Sequence, residues 1–288
     1  MIDLNDEYMS ESSDDGYDFE PPKAPEPDYL NMTLDSGVMP LEMRFSQINS
    51  CYQKMPVAYR SFTYINSVIE GVIPPEKYAF AADGTDRGVR LSRWNIMQAM
   101  RSVKKFEDRG RHVRFVTARC SPKLVLVDDF YAYVKSLMDE YAFTAPAKLC
   151  LEFPRTILYE DHEKVRSALL SMKLLKVGTM LAGCGEKDSP LTPLIDLPFD
   201  YVILAPWLTA LAGTRSKGAQ ITGLLSFLRG LPCDIIADGV VTDEQITALN
   251  RADCFGYIPS AGYRGNVEHG RLRMPLDEAT LQSEENVD

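Results

Sequence analysis

Few side chains in this 288-residue sequence are placed to do chemistry. The three histidines, His112, His162 and His269, have no candidate nucleophile beside them in a recognisable motif, so a histidine-activated Ser or Cys is not indicated. Gly183-Cys184-Gly185 invites comparison with a phosphate loop or a reactive thiol, but the Lys-Ser/Thr ending of such a loop is missing. Two carboxylates remain in apolar, strand-like runs: Glu152 in Leu149-Cys150-Leu151-Glu152-Phe153-Pro154-Arg155 and Asp238 in Ile235-Ile236-Ala237-Asp238-Gly239-Val240-Val241. Carboxylates at strand ends are hard-oxygen ligands of the kind that hold divalent cations, but two on separate strands make a poor metal site. Each also reads as a polar group at the end of a sheet, hydrogen-bonded or in water. No metal or other cofactor is expected.

The elements that must position these residues alternate. Short β-branched or aromatic runs at 41 to 48, 60 to 67, 112 to 118, 147 to 153, 176 to 182, 199 to 205, 233 to 238 and 252 to 257 predict eight strands. Helical patterns separate most of them, at 75 to 82, 87 to 107, 122 to 140, 160 to 173, near 190, 207 to 229 with a break around Gly213 or Gly218, and 242 to 250. Repeated βα units around a parallel sheet, in about 250 residues, predict an α/β fold of the TIM-barrel (β/α)8 type. No internal repeat and no second domain stands out. The expected organisation is an acidic, Pro-containing disordered tail over 1–29, a barrel over 30–270 and a polar C-terminal tail over 271–288.

The run from Ile235 to Gln245 resembles the strand-end signature IAEGVETEEQ of the EAL domain, the bacterial cyclic-di-GMP phosphodiesterase family. The resemblance extends over about residues 38 to 265. Arg60-Ser61-Phe62-Thr63-Tyr64-Ile65 lines up with the family's G-F-E-A-L, and Gly71 to Tyr78 is similar to its G-x-I-x-P-x-x-F. Phe115-Val116-Thr117 resembles V-N-x-S, Leu149 to Arg155 resembles L-x-L-E-x-x-E, and Val177 to Gly185 aligns with I-A-L-D-D-F-G. Phe199 to Ala205 resembles V-D-x-x-K-I-D, and Ala252 to Tyr257 is similar to C-D-x-x-Q-G-Y, one residue short and without the Gln.

This resemblance implies an EAL-fold barrel whose catalytic positions are altered. It puts Thr63 at the name-giving metal-binding Glu, Ser67 near a phosphate-gripping Arg, Thr117 at the metal-binding Asn and Arg155 at a second Glu. It puts Ala182 and Gly183 at the paired Asp positions, Ile203 at the water-activating Lys, Ala205 at the following Asp and Val241 at a further Glu. Glu152 keeps one ligand position, and Asp238 stands where the family has Glu. Removing one such transition-state group costs several kcal/mol, so losing most of them implies an inactive relative, a pseudoenzyme acting through protein contacts. Two alternatives are a cyclic-di-GMP receptor that does not cleave its ligand and a residual phosphodiesterase using Glu152 and Asp238. EAL domains commonly dimerise, so a homodimer is among the expected assemblies.

Charge is unevenly placed. Residues 1 to 29 hold ten acids against Lys23 alone, while residues 87 to 123 hold eleven Lys or Arg against Glu107 and Asp108. The acidic tail, rich in Pro, cannot bury enough apolar surface to offset its ordering entropy. In the helix at 87 to 107, Val89, Ile96, Met100 and Val103 share one face, and Arg90, Arg101, Lys104 and Lys105 take the flank. That flank reads as a solvated surface, or as a dock for an acidic partner or for the chain's own tail. Overall acidity argues against nucleic acid, even with Trp94 and Phe106 in the basic segment. No window reaches the roughly 18 to 20 continuous apolar residues of a membrane span, and the acidic N-terminus is unlike a signal peptide, so a cytoplasmic protein is expected. Six dispersed cysteines without a CxxC pair predict buried free thiols.

Overall fold

The structure is a computed structural model, and it describes residues 33–34, 40–187, 189–214, 218–261, 263 and 272–273. The expected acidic tail over 1–29 lies outside the described residues, as does most of the polar tail over 271–288. Strands β1 (Leu41–Ser50), β2 (Pro56–Ser67), β3 (Gly71–Ile73), β4 (Val116–Arg119), β5 (Leu149–Pro154), β6 (Gly178–Cys184), β7 (Tyr201–Leu204), β8 (Asp234–Val240), β9 (Gly256–Pro259) and β10 (Leu272–Arg273) form one sheet. Its order, β10-β1-β9-β8-β7-β6-β5-β4-β2-β3, closes through pairing of β1 with β2, giving a barrel of eight strands with β3 and β10 added outside the ring. Helices α1 (Ala79–Ala82), α2 (Asp86–Asp108), α3 (Phe130–Glu140), α4 (His162–Leu175), α5 (Pro206–Thr209), α6 (Gly218–Arg229) and α7 (Asp243–Arg251) occupy the connections.

One expectation is corrected: the ring is not all parallel. β1 runs antiparallel to both β2 and β9, because only the turn Cys51–Met55 joins it to β2. So short a link permits a hairpin, whereas a parallel crossover needs a dozen residues or more. The other pairs around the ring, from β2–β4 to β8–β9, are parallel.

The helix expected at 122 to 140 is two pieces. A 3-10 turn over Pro122–Leu126 gives way to α3, and Asp129, left-handed at φ 50°, caps it through Ala132 N–H. The break expected around Gly213 or Gly218 in the 207 to 229 segment is present, with Gly213 at φ +76° between α5 and α6. β9 starts four residues later than expected, because Cys254 N–H still donates to Leu249 at the end of α7. The five buried cysteines and half-buried Cys233 are all free thiols, as expected.

Alternation along each strand sorts the core into two layers. Leu149, Leu151 and Phe153 of β5, Val202 and Leu204 of β7, and Ile235 and Ala237 of β8 face outward into the layer shared with the helices. Cys150, Met180, Ile203, Ile236, Ile258 and Ala58 face inward and fill the barrel axis. The intervening inward positions carry the candidate site.

Candidate functional site

β5 alternates Cys150 then Glu152, β8 alternates Ile236 then Asp238, and β2 alternates Ala58 then Arg60. All three strands are parallel, so period two lifts Glu152, Asp238 and Arg60 together to the C-terminal mouth of the barrel. There the Arg60 guanidinium stands between the two carboxylates. Its Nε donates to both oxygens of Glu152 at 3.0 Å, Nη2 donates to Glu152 Oε1 at 2.7 Å, and Nη1 donates to Asp238 Oδ2 at 2.9 Å. The side chains are 13%, 4% and 26% exposed for Arg60, Glu152 and Asp238. Burial would push the Arg60 pKa down, but the charges and hydrogen bonds of Glu152 and Asp238 outweigh it and hold the pKa above its ordinary value. Thr117 completes the cluster, donating from Oγ1 to Glu152 Oε2 at 3.2 Å and accepting from Ser61 N–H at 3.0 Å.

The positions singled out in the sequence fall in different places. Thr63 does not join the cluster. It shares its face of β2 with Tyr59, which stacks on Phe106 of α2, and with Ile65, which packs near Leu91 of α2. Its hydroxyl accordingly donates to Asn95 Oδ1 of α2 at 2.6 Å. Ser67 lies on the same face, and its Oγ accepts from the amides of Ile69 and Glu70 in the β2–β3 turn. Arg60, three residues before Thr63, has the opposite parity and is the residue that reaches the carboxylates. Sequence reasoning missed it, although its inward parity with Ala58 was a usable signal once the helix-facing side of β2 was known.

Ala182 and Gly183 line the mouth without supplying a donor group from their side chains. Gly183 has φ +76°, and a Cβ there would sit 3.0 Å from the Glu186 carboxyl carbon, so glycine is the residue that fits. Arg155 spans the same rim and pairs with Glu186 at 2.6 Å. Ile203 is 1% exposed in the inner apolar layer. Ala205 is buried where α5 begins. Val241 is exposed, and its N–H donates to Gln245 Oε1 in the capping box that starts α7. Gly239 takes φ +80° just after Asp238, and a Cβ there would meet Pro206 at 2.9 Å.

The mouth opens into a cleft of about 400 Å³ between β2, α1 and the β5 to β8 strand ends. Its described lining holds three arginines and five carboxylates. Each arginine is engaged within the chain: Arg60 by Glu152 and Asp238, Arg119 by Asp83 at 2.8 Å, and Arg155 by Glu186. Burial pushes the Asp83 carboxyl pKa up, and Arg119 only partly offsets this. As a divalent-cation site the arrangement does not fit. Among the described residues no group of three or more Asp, Glu, His or Cys converges, and a cation already lies between the two inward carboxylates.

The basic flank of α2 is largely engaged as well. Arg90 donates to the Leu34 carbonyl, Arg93 pairs with Glu140 at 2.7 Å, and Arg101 stands 5.6 Å from the Tyr141 ring centroid. Lys104 is exposed and Lys105 is half-buried. Phe106 is buried and Trp94 half-buried, so neither offers an open stacking face for a base. No described helix is long and apolar enough to cross a membrane.

Comparison with known proteins agrees with this architecture. The EAL domain family model matches residues 39–257. Among curated proteins, the chain is 22% identical over 182 residues to the cyclic di-GMP phosphodiesterase PdeR of Escherichia coli, covering 63% of this chain and 27% of that protein. It is 24% identical over 188 residues to a signalling protein of Caulobacter vibrioides, covering 64% of this chain and 22% of that protein. The chain thus spans less than a third of the length of these relatives. Among solved structures, the PaMucR phosphodiesterase in complex with c-di-GMP superposes with a TM-score of 0.69 at 19% identity, covering 80% of this chain and 92% of that one. The FimX EAL domain from Pseudomonas aeruginosa, bound to c-di-GMP, gives 0.69 at 12% identity over 82% and 94%. With its eight-stranded ring, its antiparallel first strand and a family match over most of its length, the chain belongs to the EAL domain family.

Proposed function

We propose that this EAL domain does not hydrolyse cyclic di-GMP and serves bacterial signalling as a regulatory scaffold that binds protein partners. One observation carries this reading: the two inward carboxylates, Glu152 and Asp238, are both engaged by Arg60. Metal-assisted hydrolysis requires oxygen ligands free to hold Mg²⁺ or Mn²⁺ and a bound water made acidic by them. Thr117, Ala182, Gly183 and Ile203 add no charge to that set. The excess of carboxylates over arginines along the cleft also disfavours a cyclic dinucleotide, which carries two phosphate charges of its own.

A second reading keeps nucleotide binding without cleavage. It is favoured by the cleft of about 400 Å³ at the barrel mouth and by fold neighbours solved with c-di-GMP. Equilibrium binding of cyclic di-GMP with Mg²⁺, Mn²⁺ and Ca²⁺ in turn, with the same tubes assayed for the linear dinucleotide, separates the readings. The expected result is neither binding nor product. Binding without product would move the assignment to a nucleotide receptor, and metal-dependent product would overturn the proposal.

A further inference from the structure

The mismatch between this barrel mouth and a divalent cation has a specific cause. Glu152 and Asp238 rise from separate strands toward one point, and buried carboxylates that converge need a cation between them. In this chain the cation is covalent. Arg60 reaches that point from β2 and satisfies Glu152 through two nitrogens and Asp238 through the third. Thr117 Oγ1, a neutral oxygen of the kind that also ligates hard cations, sits beside Glu152. Phe62 lies under the guanidinium at 5.0 Å, adding a face attractive to positive charge.

We infer that the Arg60 guanidinium is a tethered replacement for a bound cation, and that removing it uncovers a latent divalent-cation site formed by Glu152, Asp238 and Thr117. The inference rests on the reading that the native site holds no catalytic metal, and it adds the residue that excludes the metal. Ca²⁺ is the best probe, because its shell accepts 6 to 8 oxygens in adaptable geometry and water can fill the positions the protein leaves open. A guanidinium is held by donated hydrogen bonds, whereas Ca²⁺ needs oxygens at 2.3–2.6 Å. The carboxylates must therefore draw inward when the cation is exchanged, and Asp238, the more exposed of the two, has the room to do so.

The test is thermal unfolding and calorimetric Ca²⁺ titration of the full chain and of three variants: Arg60→Ala, Arg60→Ala with Glu152→Gln, and Arg60→Lys. The full chain should melt identically in chelator and in millimolar Ca²⁺. Arg60→Ala should melt lower in chelator and recover on the order of 5 °C with saturating Ca²⁺, through preferential binding to the folded state. Adding Glu152→Gln should abolish that recovery. Arg60→Lys, which keeps a tethered charge, should show no Ca²⁺ response. If Arg60→Ala does not fold in chelator, recovery of folded protein on refolding with Ca²⁺ carries the same meaning, and failure of Ca²⁺ to restore it overturns the inference. An Arg60→Ala protein indifferent to Ca²⁺, or a native chain that binds Ca²⁺ at this site, would also overturn it. Failure of the non-hydrolysing reading is a separate event, visible as dinucleotide product from the native chain.

Discussion

The two ends of the barrel axis solve opposite problems with the same strand alternation. At the lower end, Phe115, Tyr201 and Phe255 pack together with ring centroids 4.7 to 6.2 Å apart, and the Arg114 guanidinium covers Phe255 at 4.8 Å. Cys150, Met180, Ile203 and Ile236 continue this apolar column upward. At the upper end, two residues further along β2, β5 and β8, the column becomes Arg60, Glu152 and Asp238. The lower end is held by excluded water and ring packing, and its stability should depend on volume. The upper end is held by charge balance, and its stability should depend on the sign of one side chain. A buried ion pair adds little over a well-packed apolar trio, but removing one partner leaves an uncompensated charge. The upper end is therefore a place of specificity more than of strength.

The largest expected effects test this contrast at each end. Arg60→Ala should cost about 3–5 kcal/mol in urea unfolding, because two inward carboxylates lose their counter-charge. Phe115→Ala should cost a similar amount, about 3–5 kcal/mol, by opening a cavity. The two variants should differ in what rescues them: neutralising the carboxylates with Glu152→Gln and Asp238→Asn should narrow the deficit of Arg60→Ala and leave that of Phe115→Ala unchanged. If both deficits respond alike, the two ends are not distinct environments.

A smaller effect is expected at Thr117, which joins β2 to β5. Thr117→Val keeps the volume but removes the acceptor for Ser61 N–H and a donor to Glu152. A cost of about 1–3 kcal/mol is expected from the buried, unsatisfied amide, with faster hydrogen exchange at Ser61 as the local readout.

The pH dependence on the alkaline side should come from the apolar regions and not from the charged mouth. Burial raises the thiol pKa of Cys51 and Cys184 from 9.0 to about 12 and that of Cys233 to about 11. Burial also raises the Tyr201 hydroxyl from 10.0 to about 12. For groups with raised pKa the folded state holds its protons longer than the unfolded chain. Their contribution is complete below the unfolded value and is lost as pH climbs from about 9 toward 12. Melting temperature should thus fall over that window, and thiol reagents at neutral pH should label native protein slowly, Cys233 first. Rapid labelling of Cys51 or Cys184 at neutral pH would contradict their burial. The smallest effect belongs to the α2 surface, where Lys104→Ala should change stability by no more than about 0.5 kcal/mol.

Much of the framework was legible along the chain. The run at 147 to 153 reads as a strand because it is short and apolar, and 87 to 107 reads as a helix because its apolar positions recur at helical spacing; the structure places these elements at Leu149–Pro154 and Asp86–Asp108. The helix expected at 242 to 250 is α7, and the structure shows it opened by a Thr242–Gln245 capping box. The site was less legible. On β2 both faces mix polar and apolar residues, so alternation separates Arg60 and Phe62 from Thr63 and Ile65 without saying which set faces the axis. Thr63, aligned with the family's metal-binding Glu, lines the same cleft, but its hydroxyl turns to Asn95 of α2 and not to the two carboxylates.

Local periodicity was sufficient for the eight strands of the ring, their order of appearance and the presence of Glu152 and Asp238 near strand ends, because those properties depend on short-range sterics and hydrophobic spacing; the short β3 and β10 outside the ring were not predicted. Which face of β2 turns inward, and hence which residue meets those carboxylates, depended on ring closure. Glu152 and Asp238 lie 92 and 178 residues from Arg60 in sequence. Only closing the sheet brings three strands that distant within hydrogen-bonding reach, and no local pattern encodes a charge balance formed across them.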